Sequence, residues 1–311
     1  MKTLSIVVPV FNEKDSLAAF YREVSGALSQ LPVASELIFV DDGSADGSLD
    51  IIRELAGRDR SVRYISFSRN FGKESALLAG LRAAGGDLIA VMDADLQDPP
   101  ELLGPMLEAV AEGYDVAAAR RTTREGEPPI RSFFARLFYK CINRISKTEI
   151  VDGARDFRVM TRQVRDAIIA VTEYNRFSKG IMSWVGFRTK WFDYANTRRL
   201  AGETKWSFWK LLAYSVDGIV GFSEAPLLIA SVMGIVFFVI SLLMILVIIV
   251  KTLIWKDPVQ GWPSLVCIVF FVSGVQLFCT GILGQYLAKT YMETKRRPAY
   301  IIKETTCDRD E

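Results

Sequence analysis

Two segments near the C-terminus, 225–250 and 261–288, contain no charged residue. As helices at 1.5 Å per residue they would reach about 39 and 42 Å, more than the ~30 Å of bilayer hydrocarbon. Helices buried in a soluble core seldom combine that length with that purity. The pattern predicts two membrane spans and divides the chain into a folded region over 1–225, a two-helix membrane region over 226–290 and a tail over 291–311. The loop between the spans carries Lys251, Lys256 and Asp257, whereas the stretch 289–303 after the second span carries Lys289, Lys295, Arg296, Arg297 and Lys303 against Glu293. That bias puts both termini in the cytosol and the short loop outside. Thr280, Gly284 and Ala288 recur every four residues, a small-residue face on which helices of a homo-oligomer could pack.

The region before the spans has a different grammar. Short β-rich runs at 4–10, 36–40, 62–66, 88–92 and 115–119 alternate with helical stretches near 15–30, 46–58, 73–84 and 100–112. Such alternation predicts an α/β domain with a mostly parallel sheet covered by helices on both faces. The chain opens directly on Leu4-Ser5-Ile6-Val7-Val8-Pro9-Val10, which predicts no cleaved signal peptide. Residues 1–119 carry a net charge of −9 and residues 120–311 a net charge of +11. The acidic front half argues against nucleic-acid binding. The basic remainder, beside apolar segments, suits anionic lipid or phosphate. There is no histidine, which removes the commonest general base and the usual His-containing zinc and iron sites. Cys141, Cys267, Cys279 and Cys307 form no CxxC pair and read as unrelated thiols.

Ligands of parallel α/β sheets bind beyond the carboxyl ends of the strands. Four polar clusters fall there: Asn12-Glu13, Asp41-Asp42-Gly43-Ser44, Arg69-Asn70 and Asp93-Ala94-Asp95. Asp93 and Asp95, with Gln97 as a neutral oxygen ligand, suit Mg²⁺ or Mn²⁺ bridged to a nucleoside diphosphate. Two carboxylates so close are costly without a neutralising cation. Asp41 and Asp42 open a turn that caps the next helix, and one of them can also accept hydrogen bonds from a base or ribose. The stretch 130–148 interleaves Phe133, Phe134, Phe138 and Tyr139 with basic residues, as does 206–222 with its Trp206 and Trp209. Both predict helices lying in a lipid interface. A core helix packed on the sheet is the other reading of the first.

In combination, Pro9-Val10-Phe11-Asn12-Glu13, Val40-Asp41-Asp42-Gly43-Ser44, Ser68-Arg69-Asn70-Phe71-Gly72-Lys73 and Asp93-Ala94-Asp95-Leu96-Gln97-Asp98-Pro99-Pro100 resemble the family 2 inverting glycosyltransferases. More narrowly, the chain is similar to polyprenyl-phosphate glycosyltransferases, the dolichol-phosphate mannose synthases and above all the bactoprenol glucosyltransferases with two C-terminal spans. The resemblance implies a GT-A fold, a metal ion, a UDP-sugar donor, and undecaprenyl phosphate as acceptor at the inner membrane of a bacterium. Pro9, Phe11, Glu13, Asp41, Asp42, Lys73 and Asp93 would then surround the nucleotide sugar. Asp156 would be the later acidic position near the acceptor, although Ala154 and Arg155 stand where the family more often has glycine before Asp-Phe-Arg. Arg199 and Lys205, in Arg199-Leu200-Ala201-Gly202-Glu203-Thr204-Lys205-Trp206, would meet the acceptor phosphate. Glucose is the first expectation for the sugar, with N-acetylglucosamine, mannose and aminoarabinose types open. A polysaccharide synthase of the same fold would be expected to have more spans and a Gln-x-x-Arg-Trp motif. A membrane nucleotidyltransferase and a non-catalytic membrane scaffold are the readings from other classes.

Overall fold

The computed structural model describes residues 2–122, 143–144, 151, 153–194, 220–221, 223–255 and 261–307. Five strands come first: β1 (Thr3–Val10), β2 (Ala34–Asp41), β3 (Val62–Phe67), β4 (Leu88–Val91) and β5 (Val116–Arg121). Between them run α1 (Lys14–Ser29), α2 (Ser48–Arg58), α3 (Lys73–Ala83) and α4 (Leu103–Ala111), the last preceded by a 3-10 turn at Pro100–Leu102. These elements follow the expected alternation to within a few residues. Then come β6 (Ala154–Thr161), α5 (Arg162–Ala170), α6 (Ser178–Trp184), β7 (Thr189–Tyr194), α7 (Ala225–Trp255), α8 (Trp262–Thr294) and β8 (Ile302–Thr305).

The eight strands make one sheet in the order β7-β5-β6-β4-β1-β2-β3-β8. β1 to β4 run parallel, as do β5 and β7. β6 inserts antiparallel between β4 and β5, and β8 pairs antiparallel with β3 at the edge. The four strands β4-β1-β2-β3 are neighbours, so the four polar clusters lie side by side.

Period-two alternation sorts the sheet's side chains into two cores. Ile6, Val8, Phe39 and Phe157 face Leu17 and Phe20 of α1, Ile52 of α2 and Met106 of α4. Val7, Ile38 and Val40 face Leu77 and Leu81 of α3 and Val164 and Ile168 of α5. Each such side chain, fully buried, contributes about 1.5–3 kcal/mol relative to exposure. On α3 the run from Ala76 to Leu81 is wholly buried. It lies so close to the sheet that a Cβ at Gly80 would overlap Val7 Cγ1. That contact fixes the axis of the helix whose first residue is Lys73.

The two long helices behave oppositely. Both are long and apolar enough to cross a bilayer, over Ala225–Val250 and Ile268–Thr294, and among the described residues neither window is buried. Phe238, Leu243, Phe270 and Leu277 are each more than half exposed. They touch one another through Phe237 and Phe271, edge to face at 5.6 Å, and Tyr286 Oη donates to the Ser223 carbonyl at 2.6 Å. The tail 291–311, read as a segment apart from the folded region, in fact returns to it, because β8 completes the edge of the sheet. The expected interfacial stretches fall largely outside the described residues: all but 143–144 of 130–148, and all but 220–221 of 206–222. Arg199 and Lys205 lie outside them too.

Candidate active site

Asp41 and Asp42 end β2 and start its turn, both buried. Asp41 accepts from the Ser44 amide at 3.1 Å and from Ser66 Oγ at 2.9 Å. Asp42 accepts from the Phe71 amide at 2.6 Å and the Gly72 amide at 2.9 Å, so it holds the entry to α3. Burial pushes its carboxyl up to about 6; Asp41 adds to the rise, while the two amides and Arg69 oppose it. Gly43, at φ 69°, makes this junction feasible: a Cβ there would strike the Arg69 backbone. Both carboxylates thus build the floor of the site.

Asp93, Lys73 and Asp156 come together. β4 and β6 pair with Val91 opposite Arg158, and two steps further along that antiparallel register bring Asp93 and Asp156 side by side. Lys73 Nζ stands between them, 2.6 Å from Asp93 Oδ1 and 2.5 Å from Asp156 Oδ2. Burial disfavours charge on both Asp156 and Lys73, yet the pairing prevails. Lys73, Lys179 and Arg158 together hold the Asp156 carboxyl well below the usual carboxylate range. Asp156 and Asp93 hold the Lys73 ammonium well above its ordinary value. The Lys73 side chain is 44% exposed against 19% and 14% for its partners, so water and a ligand can reach the bridge.

A second network fixes the loop after β4. Arg155 Nε donates to Asp98 Oδ1 at 3.0 Å, and its NH2 to Gln97 Oε1 at 3.3 Å. Tyr194 Oη, at the end of β7, donates to the same Asp98 oxygen. Among the described residues, Asp98 Oδ2 is buried with no hydrogen-bond partner. Burial raises the Asp98 carboxyl despite the Arg155 charge, and burial together with Asp98 raises the Tyr194 phenol. The Gln97 amide donates to Asp95 Oδ1 at 3.1 Å, and Leu96 takes φ 53° in the tight turn between them.

Of the remaining expected residues, Pro9 is half-buried in β1 opposite Val40. Phe11 is 40% exposed at the rim. Glu13 precedes α1, with its Oε2 accepting from Ser16 Oγ at 3.2 Å. The expectations missed Glu74, which accepts from the Ser178 amide at 2.9 Å and ties α3 to α6 beside Lys179. Arg155 stood out only as a departure from a motif, and Tyr194 carried no local signal at all. Among the described residues no three His, Cys, Asp or Glu side chains form a metal-ligating group. A divalent ion here would draw its remaining ligands from water and substrate phosphates, as Mg²⁺ commonly does.

The profile described as "Glycosyl transferase family 2" matches residues 5–169. The SfII prophage-derived bactoprenol glucosyl transferase of Shigella flexneri is 41% identical over 302 residues, covering 97% of this chain and 98% of that protein. The putative glycosyltransferase CsbB of Bacillus subtilis (strain 168) is 40% identical over 301 residues, covering 97% and 91%. A solved structure, glucosyl-3-phosphoglycerate synthase from Mycobacterium tuberculosis, aligns at 20% identity and a TM-score of 0.48, covering 70% of this chain and 78% of that one. The chain belongs to glycosyl transferase family 2. It is a glycosyltransferase whose strand-end carboxylates form the candidate reacting centre.

Proposed function

We propose that this glycosyltransferase moves a sugar, glucose from UDP-glucose first among the candidates, onto a polyprenyl phosphate such as undecaprenyl phosphate at the cytosolic face of a bacterial plasma membrane. One observation carries the reading: the 41% identity to a protein named a bactoprenol glucosyl transferase runs through both long apolar helices as well as the sheet. A lipid acceptor anchored in the bilayer is the substrate for which such helices are useful.

The proposed step is an in-line displacement. An acceptor phosphate oxygen forms a bond to sugar C1, the bond from C1 to the diphosphate breaks, and nucleoside diphosphate leaves on the opposite face with inversion. A phosphate monoester, with a second pKa near 6, is largely a dianion at pH 7 and needs no strong base. That agrees with a chain lacking histidine and with an Asp156 held ionised by Lys73. Asp156 acts as a positioning carboxylate, and electrostatics supplies most of the rate. Asp93, Asp95 and Gln97 would hold Mg²⁺ or Mn²⁺. Their hard oxygens fit such an ion, and those of Asp93 and Gln97 already face the cations Lys73 and Arg155. Bound there, the ion would supply positive charge to the departing diphosphate. Lys73 then has two anionic partners to choose between, its carboxylates and the incoming phosphates. Arg199 and Lys205 are proposed for the acceptor phosphate.

The test is direct. Purified full-length protein in detergent receives undecaprenyl phosphate, Mn²⁺ or Mg²⁺, and a panel of nucleotide sugars, and the lipid fraction is read by mass spectrometry. A hexosyl-phosphoryl-lipid formed from one donor and absent with Asp95→Asn supports the reading. Nucleotide binding without any lipid product would sink the acceptor assignment.

A further inference from the structure

The strap that follows α8 touches the same loop that Asp42 holds. Five residues separate Thr294, the last of α8, from Tyr300. The Tyr300 ring stacks on Phe67, the last residue of β3, at 5.0 Å and 12°. Phe67 in turn meets Phe71 edge to face at 5.8 Å. Main-chain ties flank this stack: the Ser68 amide donates to the Ile301 carbonyl at 3.0 Å, and Ser75 Oγ donates to the Ala299 carbonyl at 2.9 Å. Tyr300 Oη accepts from Arg82 NH1 at 3.3 Å. Loop 68–72 is therefore gripped from two sides, by Asp42 at its amides and by the strap at its aromatic face. Lys73 is the next residue.

We propose that Tyr300 is a positioning residue for Lys73. Its ring fixes Phe67 and Phe71, and so sets where the loop delivers the ammonium between Asp93 and Asp156. The consequence is a short path from the second long helix to the reacting centre, through five residues of chain and then the packed rings of Tyr300, Phe67 and Phe71. This rests on the reading that Lys73 serves glycosyl transfer, so the experiment has one arm that needs no substrate.

In that arm, full-length protein in detergent is followed by hydrogen exchange. Tyr300→Ala should speed exchange in the peptide covering 68–73 by about tenfold, with the β1 and β2 peptides unchanged. Tyr300→Phe keeps the stack and should match the parent. Should the alanine variant fail to fold, Tyr300→Leu takes its place. In the second arm, Tyr300→Ala lowers kcat by about tenfold while donor KM changes less, and its effect is sub-multiplicative when combined with Lys73→Met. Unchanged exchange at 68–73, or fully multiplicative losses in kcat, would overturn the proposal. Altered exchange in a protein that glycosylates no acceptor would leave the loop coupling standing and remove the functional reading instead.

Discussion

Two pairs of aspartates sit at the same end of the sheet, on either side of β1, and are treated in opposite ways. Asp41 and Asp42 are closed in by the Ser66 hydroxyl and by backbone amides, and the amides cannot leave without unfolding their turns. Asp93 and Asp156 are held chiefly by one lysine side chain, which is long, partly exposed and able to swing. A carboxylate satisfied by main chain is a fixture. A carboxylate satisfied by a flexible cation can be re-partnered when a metal ion or phosphate arrives. On the proposed function, the difference would separate residues that shape this site from those that work in it, although all four are acids at the same end of one sheet.

The comparison can be broken most forcefully at the working pair. Asp156→Asn or Asp93→Asn should lower kcat by about 10²–10³-fold while leaving the thermal midpoint within a few degrees, as expected for charges aimed at reacting groups. Equal losses from an Asp41→Asn variant that is still folded would erase the distinction. Lys73→Met should come next, with kcat down by roughly 10²-fold. It leaves Asp93 and Asp156 facing each other without their shared counter-ion.

At the shaping pair the larger effect is on stability. Asp42 has a raised carboxyl pKa in the folded protein, about 6 against 3.8. The folded state therefore binds the proton more tightly than the unfolded chain does. Its contribution is fully present below about pH 4 and is lost as the pH rises through about 6, a span of roughly 2–3 kcal/mol. Against an Asp42→Asn control, thermal midpoints in detergent should show the parent losing several degrees between pH 4 and pH 7. A flat difference across that window contradicts burial as the dominant influence. The smallest effect is expected at the second network. Tyr194→Phe removes a donor from buried Asp98, which should cost about 1–3 kcal/mol and change kcat only a few-fold.

The four parallel strands and their helices were legible in the sequence because period-two apolar runs alternate with amphipathic helices. The strand-end acids were legible because that topology leaves only one edge for them. What lay hidden was long-range. β6 slips between β4 and β5, and that insertion sets Asp156 beside Asp93 across more than sixty residues of chain. No local pattern in Ala154–Thr161 announces an antiparallel partner. The short run Ile302–Thr305 looks like a charged tail until it meets the open edge of β3. Tyr194 and Arg155 reach Asp98 only because β7, β6 and the loop after β4 converge. Lys73 was legible as a motif residue, but its bridging of two carboxylates was not.

The central claim is that Lys73 is an exchangeable counter-ion for Asp93, and Mn²⁺ binding tests it without turnover. Free Mn²⁺ would be titrated by electron paramagnetic resonance against full-length protein in detergent, for the parent and for Lys73→Met, with no nucleotide present. If the lysine occupies charge that the metal needs, Lys73→Met binds Mn²⁺ several-fold more tightly while glycosylating more slowly. An unchanged or weaker Mn²⁺ affinity would contradict exchange and make the Asp93–Lys73–Asp156 bridge a fixture like the pair beside it.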